Sequence, residues 1–207
     1  MAAPFPRLRW VVLVWLVAWI PVYWYFWGWE TFLQLCDVSL VLGCLGLFSG
    51  NALLISTQAV ATPAVGMFWA LDVAWRLIIG HHLIGGTEYL WDERFPLWIR
   101  LASSYHVVLP IVLIWALERV GYDRRAWAAQ SGIAAALLVI SRVVKPERNM
   151  NFAVRAAIFH RSLGPAPLHL AITFAVLVLA LYGPVHLALV RLFPRPGGTG
   201  NFAGAGS

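Results

Sequence analysis

The chain has 207 residues, of which 61% are hydrophobic and only 12% are charged, and its mean hydropathy is +0.75. A soluble domain averages about 45–50% apolar and about 25% charged residues, and a fold of this size cannot hide much more apolar surface. The composition therefore excludes an ordinary soluble domain. It predicts a single integral membrane domain in which lipid acts as the solvent.

The formal net charge of +6 does not indicate a nucleic-acid partner. The basic residues stand in short segments between apolar runs, so no part of the chain is large enough to present a basic face. Anionic lipid headgroups are the better partner for them. With the N-terminus inside, seven basic residues fall on each side of the membrane, so the positive-inside rule does not choose an orientation.

Crossing about 30 Å of hydrocarbon takes about 20 apolar residues in a helix. Six runs of this kind predict an all-α, polytopic transmembrane helical bundle: Trp10–Trp27, Phe32–Phe48, Ala52–Ile79, Leu97–Leu117, Ala126–Val144 and Leu168–Leu192. Pro63 interrupts the third run and predicts a kink or a break there. Residues 193–207 are rich in Gly and Pro and are predicted to form a disordered tail after a single domain of residues 1–192.

The first run is too long and too aromatic for a cleavable signal peptide, and no small-residue cleavage site follows it. The expected location is therefore a membrane that the chain crosses several times, and we expect the bacterial inner membrane. Cys36 and Cys44 lie on one predicted helix more than two turns apart, so they cannot bridge each other.

Polar residues at membrane depth are the informative ones, because each is expensive there unless it faces a bundle interior or a cavity. They concentrate on the second, third and fourth spans: Gln34, Cys36, Asp37, Ser39, Asn51, Ser56, Gln58, Asp72, Arg76, Ser103, Ser104 and His106. This concentration predicts a polar site enclosed by those three spans.

Asp72 and Arg76 are four residues apart, so they lie one helical turn apart and can form an ion pair. The structural interpretation is a buried pair that fixes helix register. The functional interpretation is a clamp for a lipid headgroup, in which Arg76 holds a phosphate. Small residues recur on the second span at Ser39, Gly43, Gly46 and Gly50, and they predict close helix packing.

The segment after the third span contains His81, His82 and Glu88 and is unusually polar and aromatic for a plain connector. We expect it to contact substrate or to cover a site. Adjacent histidines on a helix point about 100° apart, so they do not converge on one metal ion. A bis-histidine haem is conceivable with His106 and His186, but nothing in their spacing selects them, and neither a metal nor a cofactor is predicted.

Cys36 and His106 form the sharper candidate site. A thiol becomes a nucleophile when a neighbouring base takes its proton, and histidine is the usual base. Asp37 or Ser103 could orient the imidazole ring. The structural alternative is that Cys36 is a small buried hydrophobic residue, as free cysteines often are.

The order of several short motifs resembles the YwaF-like bacterial membrane proteins and their eukaryotic relative, transmembrane protein 164. The motifs fall between about residues 33 and 170: Leu35-Cys36-Asp37, Phe68-Trp69 with Leu71, His106 after small polar residues, Asn151-Phe152 and Leu163-Gly164-Pro165. The segment with His81 and His82 is longer here than in that family. Gln34 stands where the family has a histidine before the Leu-Cys-Asp motif.

The resemblance implies a helical membrane protein, and the eukaryotic relative is a phospholipid acyltransferase thought to use a cysteine and a histidine in these motifs. Carried over, Cys36 is the acyl-accepting nucleophile, His106 its general base and Asp37 an orienting or structural neighbour. Three hypotheses follow: a lipid-modifying transacylase, a non-enzymatic subunit or scaffold with membrane-protein partners or a second copy of the chain, and a small transporter.

Overall fold

The computed structural model describes residues 4–194, and within that range it contains helices and no β-strand. The predicted all-α bundle is confirmed. The α-helices are α1 (Leu8–Trp27), α2 (Leu35–Ser49), α3 (Ala52–Ile79), α4 (Leu97–Leu101), α5 (Tyr105–Val120), α6 (Ala126–Val143), α7 (Ala166–Ala175) and α8 (Gly183–Leu192). They form six continuous helical segments, here called rods, because α4 continues into α5 and α7 continues into α8.

Five of the six rods in the described range are long and apolar enough to cross a membrane. The exception is α2, whose 15 residues give a length of about 22 Å, shorter than the hydrocarbon core. The predicted six-helix bundle is confirmed, and a full crossing is supported for five helices.

Each rod runs in the direction opposite to the one before it, so the connectors collect on two sides. We call the side with residues 50–51, 121–125 and 193 the N-terminal side, and the side with residues 28–34, 80–96 and 144–165 the opposite side. On the N-terminal side, the backbone amide of Tyr122 donates to the carbonyl of Phe193, at 2.9 Å. On the opposite side, the Asn151 side chain makes hydrogen bonds to the backbone of Leu33 and Leu35.

Two rods change helix type partway along. A 3₁₀ turn at Ala102–Ser104 joins α4 to α5, and a π-helical stretch at Val176–Tyr182 joins α7 to α8. Pro184 follows the π stretch and has no amide hydrogen for the carbonyl four residues earlier, so a widened turn there avoids the clash between proline ring and carbonyl. By contrast, α3 is continuous through Pro63, so it is not broken there, and a bend at that proline stays a prediction.

Small residues let the central helices approach closely, as the sequence predicts. A Cβ atom on Gly43 would lie 3.3 Å from Leu109 Cδ1, and one on Gly46 would lie 3.0 Å from the backbone nitrogen of Ile55. The tightest approach joins α3 to α5, where a Cβ on Gly66 would lie 2.1 Å from the carbonyl oxygen of His106. Close backbone contact of this kind is how membrane helices gain van der Waals packing without help from lipid.

The predicted tail begins at Phe193. Phe193 itself is held by its bond from Tyr122, and residues 195–207 lie outside the described range. The tail therefore stays a prediction.

Candidate functional site

Cys36 and His106 both line one cavity, whose walls come from α2, α3, α5 and, at Tyr182, the stretch that joins α7 to α8. The sequence predicts a polar cavity, whereas the exposed wall of this one is mostly apolar. The full lining is Leu35, Cys36, Ser39, Ala61, Thr62, Val65, Gly66, Tyr105, His106, Leu109, Pro110 and Tyr182. The space open to the centre of a water molecule is about 20 Å³, enough for about one water. An acyl chain does not fit inside this volume, so only a small group can enter. That the cavity opens to a lipid headgroup stays a prediction.

The imidazole of His106 is held in one orientation. It lies between the rings of Trp69, 5.3 Å away and tilted by 3°, and Tyr105, 4.3 Å away and tilted by 23°. Its Nδ1 lies 2.7 Å from the carbonyl oxygen of Ser103, across the 3₁₀ turn that starts α5. A carbonyl accepts only, so Nδ1 carries the proton and Nε2 of the neutral ring carries a lone pair. The ring is therefore in the tautomer that a general base needs.

Asp37 does not orient His106. Its carboxylate is 2% exposed and accepts from Thr31 Oγ1 at 2.7 Å and from the hydroxyl of Tyr105 at 2.5 Å. The Ser103 carbonyl does the orienting, as the alternative interpretation allowed. Asp37 fixes Tyr105 instead, whose ring stacks on His106. The Cys36 thiol donates to Gln34 Oε1, at 3.9 Å. Asp37 is thus one step removed from the cavity.

The predicted ion pair between Asp72 and Arg76 is wrong. Asp72 is 1% exposed and turns toward the connector after α3, where its Oδ1 accepts from the backbone amides of Leu83, Ile84 and Gly85 at 2.6–3.1 Å. Its Oδ2 bonds to Thr87 Oγ1 and to His82 Nδ1. Five donors from one tight connector satisfy the carboxylate better than one guanidinium a turn away. Asp72 therefore anchors the connector, and no oxygen is left for a substrate.

Arg76 is not paired with Asp72 and lies beside an aromatic ring. Its guanidinium carbon is 5.7 Å from the centroid of Trp91, and its Nε is buried without a hydrogen-bond partner. Arg100 lies against the same segment, since its Nη1 donates to the carbonyl of Leu90 at 2.8 Å. The two cations lie on the opposite side of the bundle, beside the connector of residues 80–96.

The other predicted residues of the connector do separate jobs. His81 is exposed, and its Nδ1 lies 3.2 Å from the carbonyl of His82. Glu88 accepts from the backbone amide of Gly86 at 2.7 Å and so closes a tight turn. Tyr89 accepts from Trp69 Nε1 at 2.9 Å, which joins the connector to the aromatic partner of His106. Contact of His81, His82 and Glu88 with a substrate stays a prediction.

Asn151 fastens the start of α2 from the far connector. Its Nδ2 donates to the carbonyl of Leu33 and to Ser141 Oγ, both at 2.8 Å, while its Oδ1 accepts from the backbone amide of Leu35 at 2.8 Å. Its φ of 55° is one that asparagine tolerates better than most residues. The side chain thereby fixes the backbone immediately before Cys36.

We expect Asn151→Ala to lower the free energy of unfolding by about 2–3 kcal/mol, because it leaves a buried amide and carbonyl unpaired and strains the left-handed backbone. Ser141→Ala removes only one of the three bonds and should cost less than half as much. Unfolding in mixed micelles, followed by tryptophan fluorescence, measures both. Equal stability of Asn151→Ala and the wild type would show that the hydrogen bonds of Asn151 do not stabilise the fold.

Charge pairs join the same two connectors. Glu30 pairs with Lys145 and lies 3.8 Å from Arg148, whose Nη1 also donates to the carbonyl of Trp27 at 3.1 Å. The hydrogen bond from the Lys145 ammonium, which favours the ionised carboxylate, holds the pKa of Glu30 below its usual value. The connector before Cys36 is therefore tied down by both Asn151 and Glu30.

Among residues 4–194, no group of three or more His, Cys, Asp or Glu side chains is arranged to hold a metal ion. His106 and His186 have separate partners. His106 is in the first turn of α5 at the opposite side, whereas His186 Nδ1 bonds to the Tyr122 hydroxyl at the N-terminal side, at 2.7 Å. They do not face each other as a haem would require.

Comparison with known proteins gives no match to a family model, to a curated protein or to a solved structure.

The structure adds two tyrosines that sequence reasoning did not select. Tyr105 links Asp37 to His106, and Tyr182 reaches the cavity from the last rod. The position of Tyr105 directly before His106 was a usable signal, because a helix places neighbours on adjoining faces. Nothing in the sequence links Tyr182 to residues some 75–145 positions earlier.

Proposed function

We propose that this integral membrane protein is a lipid-modifying enzyme that transfers an acyl chain through Cys36, with His106 as the general base. The observation that carries the proposal is that both side chains line one cavity, with His106 held in the tautomer that leaves Nε2 free to accept a proton. Thiol nucleophiles in enzymes are activated by an oriented imidazole within hydrogen-bond reach, so the proposal requires Nε2 of His106 to come that close to Cys36 Sγ. The resemblance to transmembrane protein 164, the eukaryotic relative of the YwaF-like proteins, implies the same two roles.

The chemistry needs two transfers of the acyl group. In the first, Nε2 of His106 takes the Cys36 proton, and the thiolate attacks the ester carbonyl of a donor phospholipid. The lysolipid oxygen leaves with the proton from the imidazolium, and the acyl group stays on sulfur as a thioester. In the second, an acceptor hydroxyl gives its proton to Nε2 and attacks the thioester. The sulfur leaves and takes this proton from the imidazolium, which restores the thiol and the neutral ring.

The small cavity suits a carbonyl and not a chain. The acyl chain of the donor would remain in lipid beside α3 and α5, while its reacting carbonyl enters between Cys36 and His106. Tyr105 serves as a positioning residue, since Asp37 holds its hydroxyl and its ring supports the imidazole. Arg76 beside Trp91 is the proposed contact for the headgroup phosphate, with His81, His82 and Glu88 of the same connector around it.

The experiment is to look for the acyl-enzyme in the protein reconstituted in nanodiscs with phosphatidylcholine that carries an isotope-labelled acyl chain. We expect a hydroxylamine-sensitive mass increase of one acyl group on the peptide that contains Cys36. Cys36→Ala should lose both the adduct and the transfer of label to added lysophospholipid. Cys44→Ala is the matched control, because Cys44 lies on the same helix, buried and outside the cavity lining, and should keep both.

Retained transfer by folded Cys36→Ala would overturn the mechanism. Absence of any adduct on the wild type, with a partner complex recovered on purification in mild detergent, would favour the alternative function as a membrane scaffold. A bacterial inner membrane is the proposed location, and anionic lipids are the proposed surroundings of the basic connectors.

A further inference from the structure

Three buried polar side chains lie between the wall of the candidate site and the N-terminal side. Tyr182 lines the Cys36–His106 cavity, whereas Gln58 and Gln130 do not. Gln58 on α3, Gln130 on α6 and Tyr182 on the last rod are all 0% exposed. Both amide atoms of each glutamine and the hydroxyl of Tyr182 are buried without a hydrogen-bond partner. An unpaired buried polar group costs about 1–3 kcal/mol, so five such atoms in one region of a membrane domain call for a ligand.

The three side chains lie on helical segments that pack against one another. Helix α3 packs against both α6 and the π stretch that holds Tyr182, and α6 packs against that stretch as well. The hydroxyl of Tyr182 is within reach of the Gln130 side chain, although the pair makes no hydrogen bond of good geometry. The amides and the hydroxyl together offer both donors and acceptors.

This region lies between the Cys36–His106 cavity and the N-terminal side. Tyr182 lines that cavity, and so does Thr62, whose hydroxyl donates to the backbone carbonyl of Gln58 one turn earlier at 2.9 Å. On the other flank, Ser56 Oγ accepts from the backbone amide of Asp123 in the connector at the N-terminal side, at 2.9 Å.

We propose that Gln58, Gln130 and Tyr182 form a buried water-binding site between the Cys36–His106 cavity and the N-terminal side of the bundle. Water is the ligand class that fits, because it donates and accepts at once and needs two to four polar partners. The cavity beside it is itself the size of one water. A charged ligand has no counter-ion among the three side chains, and each of them is uncharged. The site does not depend on any chemistry at Cys36.

The chain has only three glutamines, Gln34, Gln58 and Gln130, which makes the test direct. The protein labelled with ¹⁵N-glutamine is reconstituted in lipid, and magnetisation is transferred from water to the side-chain amides by water-edited solid-state NMR. Gln34 is partly buried in the connector before α2 and serves as the hydrated reference. We expect all three side-chain amides to receive water magnetisation, with the two buried amides at build-up rates comparable with that of Gln34.

Signals from fewer than three side-chain amides would overturn the proposal, since one or both buried glutamines would then be bonded to protein alone. This measurement needs no substitution, so it does not rest on a variant that fails to fold. Tyr182→Phe removes one oxygen and keeps the ring, and it should slow the transfer to Gln130 while leaving Gln34 unchanged. Unchanged transfer to Gln130 in Tyr182→Phe would remove the hydroxyl from the site and overturn the three-residue assignment.

Discussion

Gly66→Ala is expected to be the most damaging single-methyl change in this bundle. The added Cβ would lie 2.1 Å from the carbonyl oxygen of His106, well inside van der Waals contact, and the atom it meets is backbone. Since neither side can rotate away, α3 and α5 have to separate, and the Cys36–His106 cavity between them opens. We expect the free energy of unfolding to fall by about 3 kcal/mol or more.

The matched control is Gly132→Ala on α6, where an added Cβ meets nothing within 4 Å. Alanine favours the helix over glycine, so this variant should be unchanged or more stable by up to about 1 kcal/mol. Both are measured by unfolding in mixed micelles, with tryptophan fluorescence as the signal. If the two variants have the same free energy of unfolding, then α3 and α5 do not pack as described.

Asp72→Ala is expected to release the connector between α3 and α4. It leaves the amides of Leu83, Ile84 and Gly85 without their shared acceptor, and it also frees the Thr87 hydroxyl and His82. Hydrogen bonds to a charged group contribute about 1.5–3 kcal/mol each, so the variant should lose about 3 kcal/mol or more, and its three amides should lose protection in hydrogen exchange.

Asp72→Asn gives the sharper comparison. Its Oδ1 keeps the three backbone amides, and its NH₂ group can donate to Thr87 Oγ1 and to a neutral His82, so most of the protection should remain. Asp92→Ala is the control for a connector carboxylate, because Asp92 bonds only within its own turn, to the backbone amide and guanidinium of Arg94, and should change nothing in residues 83–85. Protection at those residues in Asp72→Ala would contradict the anchor.

Local signals in the sequence were sufficient where the structure depends on neighbours along the chain. The apolar run Ala52–Ile79 predicted both ends of α3 to the residue. In the structure Asn51 caps the helix and Gly80 ends it in the left-handed conformation. The glycines of α2 were read correctly as packing sites for the same reason, since helical spacing alone places them on a line. The π stretch before Pro184 was missed, because the sequence shows a proline but not which carbonyl it would meet.

The partner of a polar side chain was not predictable in this way. Asp72 and Arg76 satisfy the spacing rule for an ion pair, yet a connector that folds back over the helix end offers Asp72 five donors. Asn151 likewise bonds to Leu33 and Leu35, more than a hundred residues earlier, and no pattern in the sequence pairs them. Such partners follow from which connectors meet on one side of the bundle.

The sequence by itself determined that the chain is a helical membrane bundle. The apolar runs match the thickness of the hydrocarbon core, and without water in that core the backbone has to form its hydrogen bonds within helices. It also selected Cys36 and His106, because polar groups at membrane depth are costly and therefore few. The tertiary structure alone decided that these two line one cavity, that Ser103 rather than Asp37 orients the imidazole, and that Tyr182 closes the wall. Those contacts join separate helices. Gly66 sets how closely α3 and α5 approach, because its backbone packs against the carbonyl of His106, and the spacing of residues in the sequence does not reveal this contact.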